Sequence, residues 1–155
     1  MNMSIAEANP VLSEAQHCID RFKRLYQDLN RETVNNGLLE AVYSDDIHFE
    51  DSFHQINGLK ALQAYCASLY ENVLYCDFVF HDTWLDTDSA MLTWSMNYAH
   101  PKLKHGDNLY VCGATHLRFH QKVYWHRDYF DGGQLLYEHI PVLGLIISKL
   151  KKRMA

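Results

Sequence analysis

An imidazole and a carboxylate two residues apart, His126-x-Asp128, sit in the run VYWHRDYF. The aromatic and β-branched residues of that run favour a strand, in which alternation puts His126 and Asp128 on one face. Side by side, two such groups can pass a proton to and from a ligand. A second carboxylate, Asp51, closes the run IHFED, where Ile47, Phe49 and Asp51 share a face by the same alternation. It reads either as a general base on an apolar face or as a cap for the loop that follows. Tyr26, on a helical stripe with Ile19, Phe22 and Leu29, offers a hydroxyl, or packs in a core with that hydroxyl wetted. For His126 and Asp128 two readings stand: a ligand site, or a buried network satisfied by Tyr and Trp donors.

The elements must bring these residues together. A two-residue turn at Gln121-Lys122 predicts a hairpin with Phe119 opposite Tyr124, Leu117 opposite His126 and Thr115 opposite Asp128. One face then carries Thr115, Leu117, Phe119, Tyr124, His126, Asp128 and Phe130; the other carries His116, Arg118, Trp125, Arg127 and Tyr129. Upstream, Ser13-Glu14-Ala15-Gln16 predicts a helix start by capping box. A short second helix follows Thr33 and stops at Ser44-Asp45-Asp46. A third follows Gly58 through Leu59, Leu62, Cys66, Leu69 and Val73. Four β-rich runs with short connections complete the chain. Helices first and an antiparallel meander second make the fold class α+β. The expectation is a single domain over residues 1–155, with a core at about 13–140 and a tail at 141–155.

Composition narrows the function classes. The formal charge of −5 argues against a nucleic-acid partner, which wants a basic face. The cysteines Cys18, Cys66, Cys76 and Cys112 form no CxxC pair and read as reduced thiols of a cytoplasmic protein. MNMSIAEANPVLSEAQ lacks the basic flank and apolar run of a signal peptide, and no segment reaches the ~18 apolar residues of a membrane span. His48-x-Glu50 and His126-x-Asp128 each offer zinc two ligand types but no third or fourth at a characteristic spacing, so no metal is expected. Phosphate-loop, dinucleotide and Gly-x-Ser-x-Gly motifs do not occur, and no cofactor is expected.

Three stretches, FEDSFHQINGLKALQAY, THLRFHQKVYWHRDYFD and LYEHIPVLGLIISKLKKRM, come in an order that resembles the SnoaL-like families of the nuclear-transport-factor-2-like superfamily. The resemblance covers about Ser13 to Ile140. It implies a cone, a curved antiparallel sheet wrapped around N-terminal helices, with a ligand pocket at its open end. Asp51 matches the general base of the superfamily's ketosteroid isomerases, and Tyr26 sits near their oxyanion-stabilising Tyr. Their second oxyanion donor, a protonated Asp, is replaced by Thr115, which counts against that isomerisation. In the polyketide cyclases the Asp of His-x-Asp is the acid-base residue, so the resemblance gives that role to Asp128, assisted by His126. Limonene-epoxide-hydrolase relatives use Asp-Arg-Asp, but alternation aims Arg127 at the opposite face. The resemblance thus implies a pocket for a small apolar, carbonyl-bearing metabolite, lined by Thr115, Leu117, Tyr124, Phe130 and Phe49. Such a pocket protein catalyses cofactor-free isomerisation, cyclisation or hydrolysis, or only binds a ligand or a protein partner.

Two further expectations concern surfaces. Trp125 and Tyr129 alternate away from His126 and Asp128, with Tyr110 and Cys112 beside them, which predicts a homodimer through the outer sheet face. In the tail, Leu143, Ile146, Ile147 and Leu150 follow helical spacing and Lys149, Lys151, Lys152 and Arg153 gather at the end. That pattern predicts a helix docked over the cone or its partner, frayed from Lys151 onward, without stable membrane insertion.

Overall fold

A computed structural model describes residues 10–154, so the leader reading of the first residues falls largely outside the described residues. Helix α1 (Pro10–Asp28) begins three residues before the expected capping box. Proline suits a first helical position, because its φ is preset and its missing N–H has no partner there anyway. Its stripe of Ala15, Cys18, Ile19, Phe22 and Leu25 is buried, as the spacing predicts. Helix α2 is only Leu38–Val42, and strand β1 (Tyr43–Glu50) starts at once. Ser44-Asp45-Asp46, expected to stop the helix, are therefore strand residues, exposed or nearly so, at an irregularity before Ile47. A short strand β2 (Gln55–Asn57), not apparent in the sequence, pairs back on β1 before helix α3 (Leu59–Glu71).

The four β-rich runs are β3 (Tyr75–Leu85), β4 (Ser89–Ala99), β5 (Leu109–Phe119) and β6 (Val123–Phe130). With β1 and β2 they form one six-stranded sheet in the order β2-β1-β6-β5-β4-β3. The sheet is antiparallel except where β1 meets β6, a parallel pair. Parallel neighbours need a long crossover, which here runs through β2, α3 and strands β3 to β5. The sheet is open, its ends at β2 and β3. Its inner face packs on α1, joining Phe22 and Leu25 to Leu92, Leu117, Phe119 and Val123 in a continuous core.

The last hairpin keeps the expected register over its inner half: Thr115 pairs with Asp128 and Leu117 with His126. Near the turn it does not. A bulge sets Phe119 opposite Val123, so Val123 enters the core and Tyr124 leaves it, its ring 4.9 Å from that of His120. The extra residue reverses alternation locally. The chain ends in α4 (Gly132–Leu135), a 3-10 turn at Tyr137–His139 and α5 (Pro141–Met154). Helix α5 persists past Lys151, where fraying was expected. It packs on the 3-10 turn while Val142, Leu145, Ile146 and Leu150 stay exposed. No helix among the described residues is long and apolar enough to cross a membrane.

Candidate functional site

Between α1, α3 and the inner face of the sheet lies a cavity of about 390 Å³. That volume is within the range of small-molecule sites. Its wall is largely apolar, with Phe49, Phe53, Phe78, Trp94, Phe130 and Leu135 among the lining residues. The polar groups that reach it include Tyr26, Asp51, His54, Tyr65, Tyr98 and Asp128.

Asp128 is the carboxylate with room to act. Its Oδ1 accepts from Thr115 Oγ1 at 2.5 Å and contacts His126 Nε2 at 2.8 Å. Both contacts use the same oxygen, which leaves Oδ2 for the cavity. Behind it, His126 is 0% exposed and caged by the rings of Phe22, Tyr26, Tyr43 and Phe49. Its Nδ1 lies 2.8 Å from the Tyr43 hydroxyl, which in turn lies 3.0 Å from the Tyr26 hydroxyl. On the other side Trp94 Nε1 donates to Thr115 Oγ1 at 2.8 Å. The distances admit a proton assignment that satisfies every group. In it Tyr26 donates to Tyr43, Tyr43 to His126 Nδ1, His126 Nε2–H to Asp128, and Trp94 through Thr115 to the same oxygen. In that assignment the donors run toward Asp128, and both ends of the Tyr26–Asp128 path touch the cavity.

Burial holds the Tyr26 and Tyr43 phenols well above the usual tyrosine range, so both stay protonated. Each is raised further by the neighbouring charge of Asp128. Desolvation likewise pushes the wall thiols of Cys66 and Cys76 up to about 12.

Asp51 reaches the same cavity but is engaged by its own loop. Its Oδ1 accepts from the backbone N–H groups of Phe53 and His54, each at 2.7 Å, and Oδ2 accepts from Tyr65 Oη at 2.6 Å. The capping reading and the cavity reading of Asp51 both describe its position. Phe49 and Phe130 line the cavity. The remaining expected lining residues do not. Leu117 is fully buried opposite His126 on the neighbouring strand, and Tyr124 is turned away by the bulge. Thr115 borders only a small recess behind Asp128 with Phe22, Phe78, Phe80 and Trp94. His126 touches the cavity through Asp128 rather than directly. Arg127 is ion-paired with Glu50 and stacked 5.0 Å from the Tyr129 ring on the outer face, and it is not among the cavity-lining residues. Among the described residues no three His, Cys, Asp or Glu side chains converge on a metal position.

Sequence reasoning missed Tyr43, Trp94 and Tyr65. Tyr43 has the parity of Ile47 and Phe49, so alternation carried back through Asp45 would have placed it inside. Trp94 lies in the alternating run Leu92, Trp94, Met96, Tyr98, whose inward face could have been followed. Tyr65 meets Asp51 across the chain, and nothing local announces that contact.

Among known proteins, the model of the SnoaL-like domain matches residues 22–125, ending one residue before His126. No match is found among the curated proteins. Similar solved structures include a candidate isomerase from Rhodopseudomonas palustris (19% identity, TM-score 0.66, covering 77% of this chain and 93% of that one). A candidate SnoaL-like polyketide cyclase from Jannaschia sp. CCS1 is 14% identical with TM-score 0.64, covering 81% and 90%. An LEH-like epoxide hydrolase from M. tuberculosis is 18% identical with TM-score 0.62, covering 88% and 98%. At these identities the structures establish the shared fold and not a shared reaction. With two thirds of its length matched by that one model, the chain belongs to the SnoaL-like domain family.

Proposed function

We propose that the protein binds a small apolar, carbonyl-bearing metabolite in this cavity and catalyses cofactor-free proton transfer on it, with Asp128 as the acid-base residue. The observation that carries the reading is the arrangement at Asp128. One carboxylate oxygen is fixed by Thr115 and His126, and the other is left to an apolar cavity. Oδ2 takes a proton from the carbon next to the ligand carbonyl, the electron pair moves toward the carbonyl oxygen, and a hydroxyl donor steadies the charge that develops there. Tyr26 is that donor: it stands on the cavity wall, burial keeps its phenol protonated, and its O–H turns from Tyr43 to the ligand oxygen. Returning the proton to another carbon completes an isomerisation; attack of the carbanion on a second carbonyl, whose oxygen then takes the proton back from Asp128, completes an aldol-type cyclisation. His126 is a positioning residue, held by Tyr43, and Asp51 with Tyr65 shapes the loop at the rim.

The chain acts as one domain with a C-terminal helical tail, in the cytoplasm, where its four free thiols stay reduced. Its outer sheet face pairs with a second copy. Tyr110, Tyr129, Met91 and Trp84 are all exposed there, beside Cys112 and a Trp125 covered by Arg118. Two measurements test the function. Mass spectrometry of the organic extract of purified protein should identify a carbonyl-bearing apolar compound. With it as substrate, Asp128→Asn should lower turnover by about two orders of magnitude or more while the melting temperature barely moves. Full turnover in that variant would remove Asp128 from the mechanism. A compound that binds and quenches Trp94 fluorescence but is never converted would favour the rival reading, a non-catalytic binding module.

A further inference from the structure

Helix α5 meets the rest of the chain with the wrong side for an ordinary amphipathic helix. Gly144 and Lys151, seven residues apart and hence on one side, both meet Glu138. A Cβ on Gly144 would clash with the Glu138 carbonyl oxygen, and Lys151 Nζ ion-pairs with the Glu138 carboxylate. Glycine therefore lets the helix lie on this turn with its small, polar side down. The apolar side consequently faces away: Val142 is 71% exposed, Ile146 49% and Leu150 54%, with Leu145 exposed beside them. Lys149 and Arg153 fall seven residues beyond Val142 and Ile146, so the same outward side is aliphatic in its first half and cationic in its second.

The charge distribution of the chain is equally lopsided. Of fourteen Lys and Arg, four lie at positions 149 to 153, where there is no acidic residue, while nineteen Asp and Glu lie upstream. The composition of the outward face separates two occupants. Protein interfaces are enriched in aromatics and depleted in Lys, whereas this face is aliphatic, has no aromatic residue and is flanked by Lys149 and Lys152. Aliphatic side chains beside snorkelling lysines suit the boundary between acyl chains and acidic headgroups. We infer that α5 is a docking helix for the surface of an anionic lipid bilayer, which holds the protein there reversibly. The acidic body is repelled by the same surface, so contact is confined to the helix. Leu135 and Leu136, which precede the turn carrying α5, line the cavity, and docking therefore takes place next to it.

The inference does not rest on the proposed catalysis and is tested without any substrate. The intact protein is sedimented with vesicles of phosphatidylglycerol or of phosphatidylcholine, at low and at raised salt. Binding to the first, little to the second, and release by salt are expected, because the attraction is largely electrostatic and screened. Lys149→Glu with Lys152→Glu and Arg153→Glu should weaken binding about tenfold or more, and Ile146→Glu should do the same from the apolar side. These side chains are exposed, so circular dichroism should report an unchanged fold. Absence of binding to phosphatidylglycerol vesicles, equal binding to both vesicle types, or indifference to the charge reversals would each overturn the inference. So would a halved molar mass of Ile146→Glu in light scattering, which would assign the face to a second copy of this chain.

Discussion

Replacing Tyr43 by Phe removes one oxygen atom from the centre of the buried relay and leaves the ring in place. Tyr43 is fully buried, and its hydroxyl makes two hydrogen bonds, to His126 Nδ1 and to Tyr26 Oη. The two partners lose unequally. Tyr26 stands on the cavity wall and can turn its O–H to water or to a ligand. His126 Nδ1 has no such recourse, because the imidazole is sealed among Phe22, Tyr26, Tyr43 and Phe49. One buried acceptor is therefore orphaned, a loss of about 1–3 kcal/mol. For a chain of this length each kcal/mol moves the melting temperature by about 2–4 °C, so a drop of about 2–12 °C is expected in scanning calorimetry at neutral pH. Tyr124→Phe is the control, since its ring lies outside the core against His120 and should leave the transition where it is. Pairing Tyr43→Phe with Tyr26→Phe closes a double-mutant cycle. The two hydroxyls share one bond, so the double variant should be less destabilised than the sum of the singles, by at least about 0.5 kcal/mol. A Tyr43→Phe transition within about 1 °C of the parent would refute the argument. It would mean that His126 Nδ1 is not held by Tyr43, and the donor path into Asp128 would be broken at its middle.

Other perturbations reach different parts of the molecule. Iodoacetamide at mildly alkaline pH should label exposed Cys112 quickly and leave Cys18, Cys66 and Cys76 unmodified until denaturant is added, read by peptide mass spectrometry. The same burial raises the Cys66 and Cys76 pKa values in the folded chain above the ordinary 9.0. The unfolded chain then releases these protons first, so stability should be intact below pH 9.0 and fall as pH rises toward about 12. Gly113→Ala would place a methyl group 2.3 Å from the Trp94 ring, which its bond to Thr115 holds in position. Overpacking of that kind costs about 1–3 kcal/mol, and a shift of Trp94 emission should accompany it; an unshifted spectrum would count against that packing. Tyr110→Glu with Met91→Glu should convert a dimer to a monomer in light scattering, and a parent that is already monomeric would dismiss the outer-face pairing.

Where local pattern and tertiary demand coincide, the sequence is readable. The meander and the inner register of the last hairpin follow from period-two alternation, because a slip of one residue would expose His126 and Leu117 together. The misreadings arise where one residue changes the count. The bulge beside Phe119 exchanges Val123 for Tyr124, and the irregular start of β1 hides Tyr43 behind Ser44-Asp45-Asp46. The apolar stripe predicts helix α5, yet which side of a helix meets the body depends on its neighbour. Here a close approach at Gly144 to the Glu138 carbonyl decided the matter. The partners that make the site, Tyr43 for His126 and Tyr65 for Asp51, lie 83 and 14 residues away from their targets. Separations of that kind carry no local signal.

The two cavity carboxylates show why residue type and spacing nominate a site but do not rank its members. Asp51 and Asp128 both end up on the wall, both on inward-facing positions of neighbouring strands or their ends. What separates them is where their hydrogen bonds go. Asp51 divides three short bonds between its two oxygens, and two of them come from the backbone of its own loop. Protonating or moving it would disturb Phe53 and His54 at the rim. Asp128 receives its donors on one oxygen, from side chains anchored in the core, so its second oxygen can change partners without disturbing the strand. A group that must gain and lose a proton within one cycle needs that independence from the backbone, together with a rigid support that restores its position. By that criterion the geometry suits Asp128 to the proposed proton transfer and Asp51 to holding the rim in shape.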